Sequence, residues 1–350
     1  MHKFFLLFIL VGCQTTQHVS VPKSNITLFF QSNRQGNLET CGCHTNPFGG
    51  IDRELNALKS YRLSAPQSLS LDGGNLFVPK ERAGSVEHYR YRAQLMLPLL
   101  KEIGLDVFSP GPQDLFLGQT ALKILASSAS FRFLSANIKN KKGEYPFARS
   151  VTITKGGARY GILGVTPSTA ASDDFVIQDP NEAIAEVLPQ LIKTTDFVIL
   201  LSQLGNKSDQ ALAERFSKIS VIIGADELLA TERPMWMKGH TLLVDSDLNG
   251  YLLGKLQLDL RFPVNGLYSA KDVETNKAHL KEYRDRGDKY ASYADKLERV
   301  LQLSIPDGAS LYEYELVKLD EKRFGSQNRL TSEVQLFKEA MRKYSLSHRQ

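Results

Sequence analysis

Ile26-Thr27-Leu28-Phe29-Phe30-Gln31-Ser32-Asn33-Arg34-Gln35-Gly36 is an apolar run of strand length that stops in a polar turn closed by glycine. β-branched and aromatic residues dominate the run, which suits a pleated, buried strand. The same unit recurs along the chain. Leu69 to Asp72 leads into Gly73-Gly74-Asn75, Phe197 to Leu201 into Ser202-Gln203-Leu204-Gly205, and Ser220 to Ile223 into Gly224. Further strands are predicted at Asp106 to Phe108, Arg132 to Ala136, Tyr160 to Val165, Thr241 to Asp245 and Leu252 to Leu260. Between them, Asp52 to Tyr61, Ser85 to Ile103 and Asn206 to Phe216 carry apolar residues at helical spacing, and Asp179-Pro180 is a helix start with a capping Asp and a first-turn Pro. Alternating strands and helices predict an α/β domain with helices outside a sheet. Its functional loops then belong at the carboxyl ends of the strands.

The 350 residues with 42% hydrophobic content suffice for a large core, which excludes a disordered chain. Charged residues make up 23% with a formal net charge of +5, and the basic ones are scattered, so no nucleic-acid partner is predicted. Three cysteines exclude a disulfide-built scaffold. At the start, basic Lys3, the apolar run Phe4 to Leu10 and Leu10-Val11-Gly12-Cys13 resemble a bacterial lipoprotein signal. That resemblance implies cleavage before Cys13 and its acylation. The implied address is the bacterial cell envelope, with the membrane as partner and the outer membrane facing the periplasm as the expected side. Residues 1–12 are then the signal, 13–25 a polar tether, 26–262 the main domain and 263–350 a helical extension.

The turns after the strands resemble a known family. Gln31-Ser32-Asn33-Arg34-Gln35-Gly36 stands where calcineurin-like metallophosphoesterases write Thr-Asn-Asp-x-His-Gly, and Leu71-Asp72-Gly73-Gly74-Asn75 where they write Leu-Asp-x-Gly-Asp. Gly111-Pro112-Gln113-Asp114 takes the place of Gly-Asn-His-Glu/Asp, Ser202-Gln203-Leu204-Gly205 that of Ser-His-x-Gly, and Gly224-Ala225-Asp226-Glu227 that of Gly-His-x-His. Leu134-Ser135-Ala136-Asn137 matches Leu-x-Ala-Asn outright, and Gly161-Ile162-Leu163-Gly164 matches the next strand. From Ile26 to Leu260 the chain is similar to the catalytic domain of bacterial periplasmic 5'-nucleotidases. The fold implied is a four-layer αββα sandwich.

In that family two divalent metals sit in these turns, and a His beside the Asn ligand assists the leaving group. The matching positions here are Asn33, Gln35, Asn75, Pro112, Gln113, Gln203, Ala225 and Glu227, and all depart from the pattern. Amides replace most of the carboxylates and imidazoles, while the turn glycines remain. Two doubly charged ions ~3.5 Å apart repel by about 19 kcal/mol at an effective dielectric of ~20, a cost that anionic ligands must offset. Gln113 cannot deliver a proton near neutral pH. The expectation is a catalytically inactive relative with no cofactor, and a divalent metal only if the site has moved. Weak candidates for such a moved site are Asp72, Asp114, Glu227 and His44.

Cys41-Gly42-Cys43-His44 adjoins the first turn. Three readings stand: a tight local disulfide between Cys41 and Cys43, redox or metal chemistry involving His44, or no special role. After Leu260, apolar residues at Leu280, Tyr283, Gly287, Tyr290, Ala294, Leu297 and Leu301 alternate spacings of three and four, which predicts one amphipathic helix ended by Pro306. It is expected to pack on a neighbouring helix or the main domain, with a homodimer face as the alternative. Ser332 to Tyr344 predicts a final helix. The functional expectation is an envelope lipoprotein that binds or scaffolds an envelope protein partner. The alternatives are a divergent phosphoesterase with a relocated metal site and a redox or metal module using Cys41 and Cys43.

Overall fold

The computed structural model describes residues 23–42, 45, 47–170, 172–225, 234–237, 241–246, 248–304 and 306–348. Its first half runs β1 (Lys23–Gln31), α1 (Ile51–Ser64), β2 (Ser68–Asp72), α2 (Val86–Glu102), β3 (Val107–Phe108), α3 (Gln119–Ser128), β4 (Arg132–Phe133) and β5 (Ile138–Asn140). There follow β6 (Ser150–Lys155), β7 (Ala158–Val165), β8 (Phe175–Ile177), α4 (Pro180–Thr194), β9 (Phe197–Ser202), α5 (Asn206–Arg215), β10 (Val221–Gly224), β11 (Met235–Met237) and β12 (Thr241–Asp245). The chain continues through β13 (Leu252–Arg261), β14 (Leu267–Ser269), α6 (Ala270–Asp285), α7 (Asp288–Ser304), β15 (Ser310–Lys318), α8 (Glu321–Phe324) and α9 (Arg329–Ser347).

Two sheets form the middle of the molecule, one ordered β14-β15-β13-β1-β2-β3-β4 and the other β11-β12-β10-β9-β7-β6. The two-residue period of each strand decides what lies between the sheets and what lies outside. In β1, Ile26, Leu28 and Phe30 face a shared core with Phe197, Ile199 and Leu201 of β9 and Leu256 and Leu258 of β13. Phe29 points the other way, against Leu55 and Leu58 of α1 and Met96 and Leu100 of α2. Across the second sheet, Val198 and Leu200 turn outward onto Ile184, Leu188 and Leu191 of α4. The result is the four-layer αββα arrangement, with each fully buried Leu, Ile or Phe contributing about 1.5–3 kcal/mol of transfer free energy. α4 begins where Asp179-Pro180 predicts: the Asp179 side chain accepts from the backbone N–H of Asn181 at 2.9 Å and of Glu182 at 3.2 Å.

β1, β2, β3 and β4 are parallel, as are β7, β9, β10 and β12. Their carboxyl ends therefore emerge together, and the turns quoted above meet at one end of the sandwich. Residues 263–350 are more than a helical extension. β15 pairs antiparallel with β13, Leu256 opposite Tyr314, and β14 pairs with β15, so this segment completes the first sheet. α9 buries Leu330 and Val334 in the core under α1 and α2. The single helix expected across Leu280 to Leu301 is instead two, α6 and α7, packed on each other as a hairpin. The break falls at Gly287, whose φ is 76°. Counting Gly287 as a member of the apolar stripe concealed it, since glycine fits a helix end better than a helix interior. The side chain of Leu301 lies outside the described residues.

Candidate functional site

Asn33, Asn75, Pro112, Gln113, Gln203 and Ala225 line one cleft of about 230 Å³ at the carboxyl ends of β1, β2, β3, β9 and β10. Leu204 and Gly205 complete its wall. Asn33 and Asn75 are buried. Gln35 stands apart, its side chain accepting from the backbone N–H of Lys80 at 3.2 Å. Glu227, His44 and Cys43 lie outside the described residues, as does Cys13; Cys41 is buried.

Within the cleft the amides bond to one another. Asn75 Nδ2 donates to Asn33 Oδ1 and to Gln203 Oε1, each at 2.8 Å. Asn33 Nδ2 donates to the carbonyl of Ala225 at 2.9 Å, and Gln203 Nε2 to the carbonyl of Gly73 at 2.8 Å. Asn75 Oδ1 in turn accepts from the backbone N–H of Gln113 at 2.9 Å. Five turns from both sheets are thereby tied through neutral side chains. The backbone is stitched in the same way, with Asn33 N–H donating to Gly74 O at 2.8 Å and Gln35 N–H to Asn75 O at 2.7 Å. Gly111 has to be a glycine here: a Cβ on it would lie 2.4 Å from Asn75 Oδ1.

Among the described residues, four non-glycine residues have positive φ, and three of them are Asn33 (54°), Gln35 (56°) and Asn75 (53°). Asn tolerates this left-handed conformation because its short side chain bonds locally, whereas Gln does so at a cost of roughly 1–2 kcal/mol. The strained turn geometry is thus concentrated at the positions singled out in the sequence. The fourth, Asn249, was not anticipated. Its N–H donates to Asn33 O at 2.8 Å and its carbonyl accepts from Asn37 Nδ2 at 2.9 Å, bracing the first turn from beyond β12. Asn249-Gly250, a turn-forming pair, was the available signal.

The two weak metal candidates that the structure describes serve the loops. Asp114 is fully buried and accepts from the N–H groups of Phe77 and Gly111, both at 2.9 Å, and of Leu76 at 3.3 Å. Burial pushes its carboxyl up to about 6 against those hydrogen bonds. Asp72 accepts from Gly74 N–H at 2.9 Å, and burial pushes it up to about 8. Beneath the cleft, Arg34 pairs with Glu54 at 2.6 Å and also bonds Gln31, all three buried. This pair ties the first turn to α1, and no periodic pattern announced it.

No protein-family model matches the chain. It is 27% identical over 167 residues to YunD, an uncharacterised metallophosphoesterase of Bacillus subtilis strain 168, an alignment that takes in 46% of this chain and 36% of that one. Among solved structures it superposes on a 5'-nucleotidase precursor from Thermus thermophilus with a TM-score of 0.65 at 19% identity, covering 92% of this chain and 59% of that one. It also superposes on the calcineurin-like phosphoesterase YfkN from Bacillus subtilis with a TM-score of 0.63 at 16% identity, covering 92% and 99%.

The chain has the calcineurin-like metallophosphoesterase fold. It spans about a third of the length of the curated relative it matches and about three fifths of the Thermus nucleotidase.

These likenesses correct one expectation. The chain was expected to use no cofactor, but metallophosphoesterases and 5'-nucleotidases normally use divalent metal ions, so a divalent metal is the cofactor this fold implies. The donors at the cleft can be tested against that ion pair, and they do not fit it. The oxygens of Asn33, Asn75 and Gln203 already accept N–H groups, and the Asn75 amide nitrogen, a donor, sits between two of them. None carries negative charge, and amide oxygens are poor ligands for the transition metals that favour imidazole and carboxylate.

Proposed function

We infer that this chain is a cell-envelope binding or scaffolding protein on a metallophosphoesterase fold, without phosphoesterase activity at the family's centre. The observation that carries this reading is the amide network. Asn33, Asn75 and Gln203 spend their hydrogen bonds on each other and on the backbone of neighbouring turns. Hydrolysis at this place needs a nucleophile generated by an ion and a proton donor for the leaving group. Gln113 supplies neither, and amides bind the turns together where the family's ligand carboxylates would stand. The anchoring part of the proposal rests on the sequence around Cys13, two or more acyl chains being enough for stable attachment. Among the described residues no helix is long and apolar enough to cross a membrane. An envelope protein is the partner proposed.

The test is turnover of phosphomonoesters and nucleotides by the full chain, with manganese, zinc and magnesium each supplied. No turnover is expected; turnover abolished by Asn75→Ala would overturn the reading. Fractionation of a Cys13→Ser variant addresses the anchor: release from membranes or loss of processing is expected, and a mature variant that stays bound would refute lipidation. A second reading, a divergent metal-dependent phosphoesterase, is favoured by the retained left-handed turns at Asn33, Gln35 and Asn75, since such strain gathers at functional sites. Turnover with a supplied metal that survives Asn75→Ala would select it.

A further inference from the structure

On the face where α9 crosses α2 lies a groove of about 320 Å³, separate from the amide cleft. Arg92 and His88 of α2 and Lys338 and Arg342 of α9 line it, over a floor that includes Phe337. Glu39 is the carboxylate on its rim, and it is taken up by Lys338 at 2.6 Å. Neither Arg92 nor Arg342 makes an ion pair among the described residues, although Glu39 also acts on Arg92 at longer range. Arg92 is held in place by a hydrogen bond to the carbonyl of Gly36. His88 is fixed by edge contact with the ring of Tyr344, 5.9 Å between centroids, and Tyr344 stacks on Tyr91 at 4.8 Å. Burial and the neighbouring Arg92 both push the His88 imidazole below its ordinary value.

Cations on two helices that converge on one groove repel each other, and the fold tolerates this only where something else is gained. The geometry points to a binding site for a phosphoryl group in this groove, with Arg92 and Arg342 as its main ligands and Lys338 and His88 beside them. Guanidinium forks match phosphate oxygens in pairs, and approach from two helices suits a tetrahedral dianion with three outer oxygens better than a planar carboxylate. The half-buried Arg92 loses little side-chain freedom on binding, because Gly36 already orients it. Gly36 closes the turn that carries Asn33 and Gln35, so an anion drawn onto Arg92 also pulls on one wall of the amide cleft. The site stands independently of the function proposed above.

The experiment titrates the full chain with inorganic pyrophosphate by calorimetry, with the Gly36 amide and His88 ring followed by NMR. Saturable binding that shifts both signals is expected. Arg342→Gln, at an exposed position, should weaken binding by about tenfold, which is ~1.4 kcal/mol. Arg329→Gln, on the same helix but paired with Glu333 at 2.8 Å, should leave binding unchanged. Absence of saturable binding by the natural chain, or equal weakening by both variants, overturns the site. A parallel arm with vesicles of phosphatidic acid in phosphatidylcholine names the source. Vesicle binding lost in Arg342→Gln and displaced by pyrophosphate supports the site with a lipid headgroup as ligand. Pyrophosphate binding without vesicle binding supports it with a soluble phosphate ester.

Discussion

The cleft at the strand ends and the α6–α7 hairpin are built on opposite terms. In the cleft almost nothing is periodic, yet Asn33, Asn75, Gln113, Gln203 and the Ala225 carbonyl are joined by hydrogen bonds of 2.8–2.9 Å across five turns. The hairpin has a regular apolar spacing, yet among the described side chains α6 buries only Val273 and α7 only Ala294. Its Tyr283, Tyr290 and Tyr293 meet chiefly one another. A repeating pattern therefore marks helical segments without fixing where they end, as at Gly287, and says little about how much stability hangs on them. A cluster of neutral amides, which has no pattern, can hold two sheets together.

The sharpest attack on that contrast is Asn75→Asp. It keeps the shape of the side chain but turns a donor towards two oxygens into a buried carboxylate facing Asn33 Oδ1 and Gln203 Oε1. The expected loss is about 3–5 kcal/mol, read from urea denaturation, because a buried charge is left uncompensated. A neutral outcome would mean that the cleft is no more integrated than the hairpin. Next in size is the effect of pH on the floor of the same region. Asp72, pushed up to about 8 by burial, favours its protonated form in the fold. Its stabilising contribution is complete below the unfolded value near 4, and is lost as pH rises through about 8. Between pH 5 and pH 8 the loss should be on the order of 3–4 kcal/mol, and Asp72→Asn should flatten the profile. A profile unchanged by that substitution would remove Asp72 from the account.

In the hairpin, Leu297→Asp is expected to cost about 1 kcal/mol, well short of the 2–5 typical of a core leucine, because the position is only partly buried. A larger loss would place the hairpin on the body of the protein. A small loss accompanied by a fall in sedimentation coefficient would reveal a dimer face. The smallest effect belongs to Arg284→Ala. It removes an exposed pair with Glu298 at 2.6 Å that bridges α6 and α7, and should change stability by no more than ~0.5 kcal/mol.

Legibility in the sequence followed the same division. Strands buried on both faces, such as β1 and β9, were plain as apolar runs, and Asp179 and Pro180 marked α4. β15 was not, because Glu313 and Glu315 interrupt Ser310–Lys318; Glu315 is partnered by Lys255 and Arg323 on the sheet surface, so the strand is half solvated. The strands β5 and β8 span only three residues each, too short for a period to show, and the edge strand β6 buries none of its side chains. At the site, the family resemblance brought Asn33, Asn75, Gln113 and Gln203 to one place. Which amide donates to which is settled by turn geometry, and only there do Asn249 and the Arg34–Glu54 pair enter.

The position of β1 sets a schedule for folding. Gln31 at its end donates to the carbonyl of Leu252, 221 positions away in sequence, and β1 lies between β2 and β13 in the first sheet. A strand that emerges near the start of the chain thus waits for one made near its end. β13 in turn is flanked by β15, made later still. Loop closures of that length are costly in entropy, and pairings so distant make folding slow. The first sheet therefore needs segments from both ends of the sequence described, while all six strands of the second, β6, β7, β9, β10, β11 and β12, fall between Ser150 and Asp245 and pair over shorter separations.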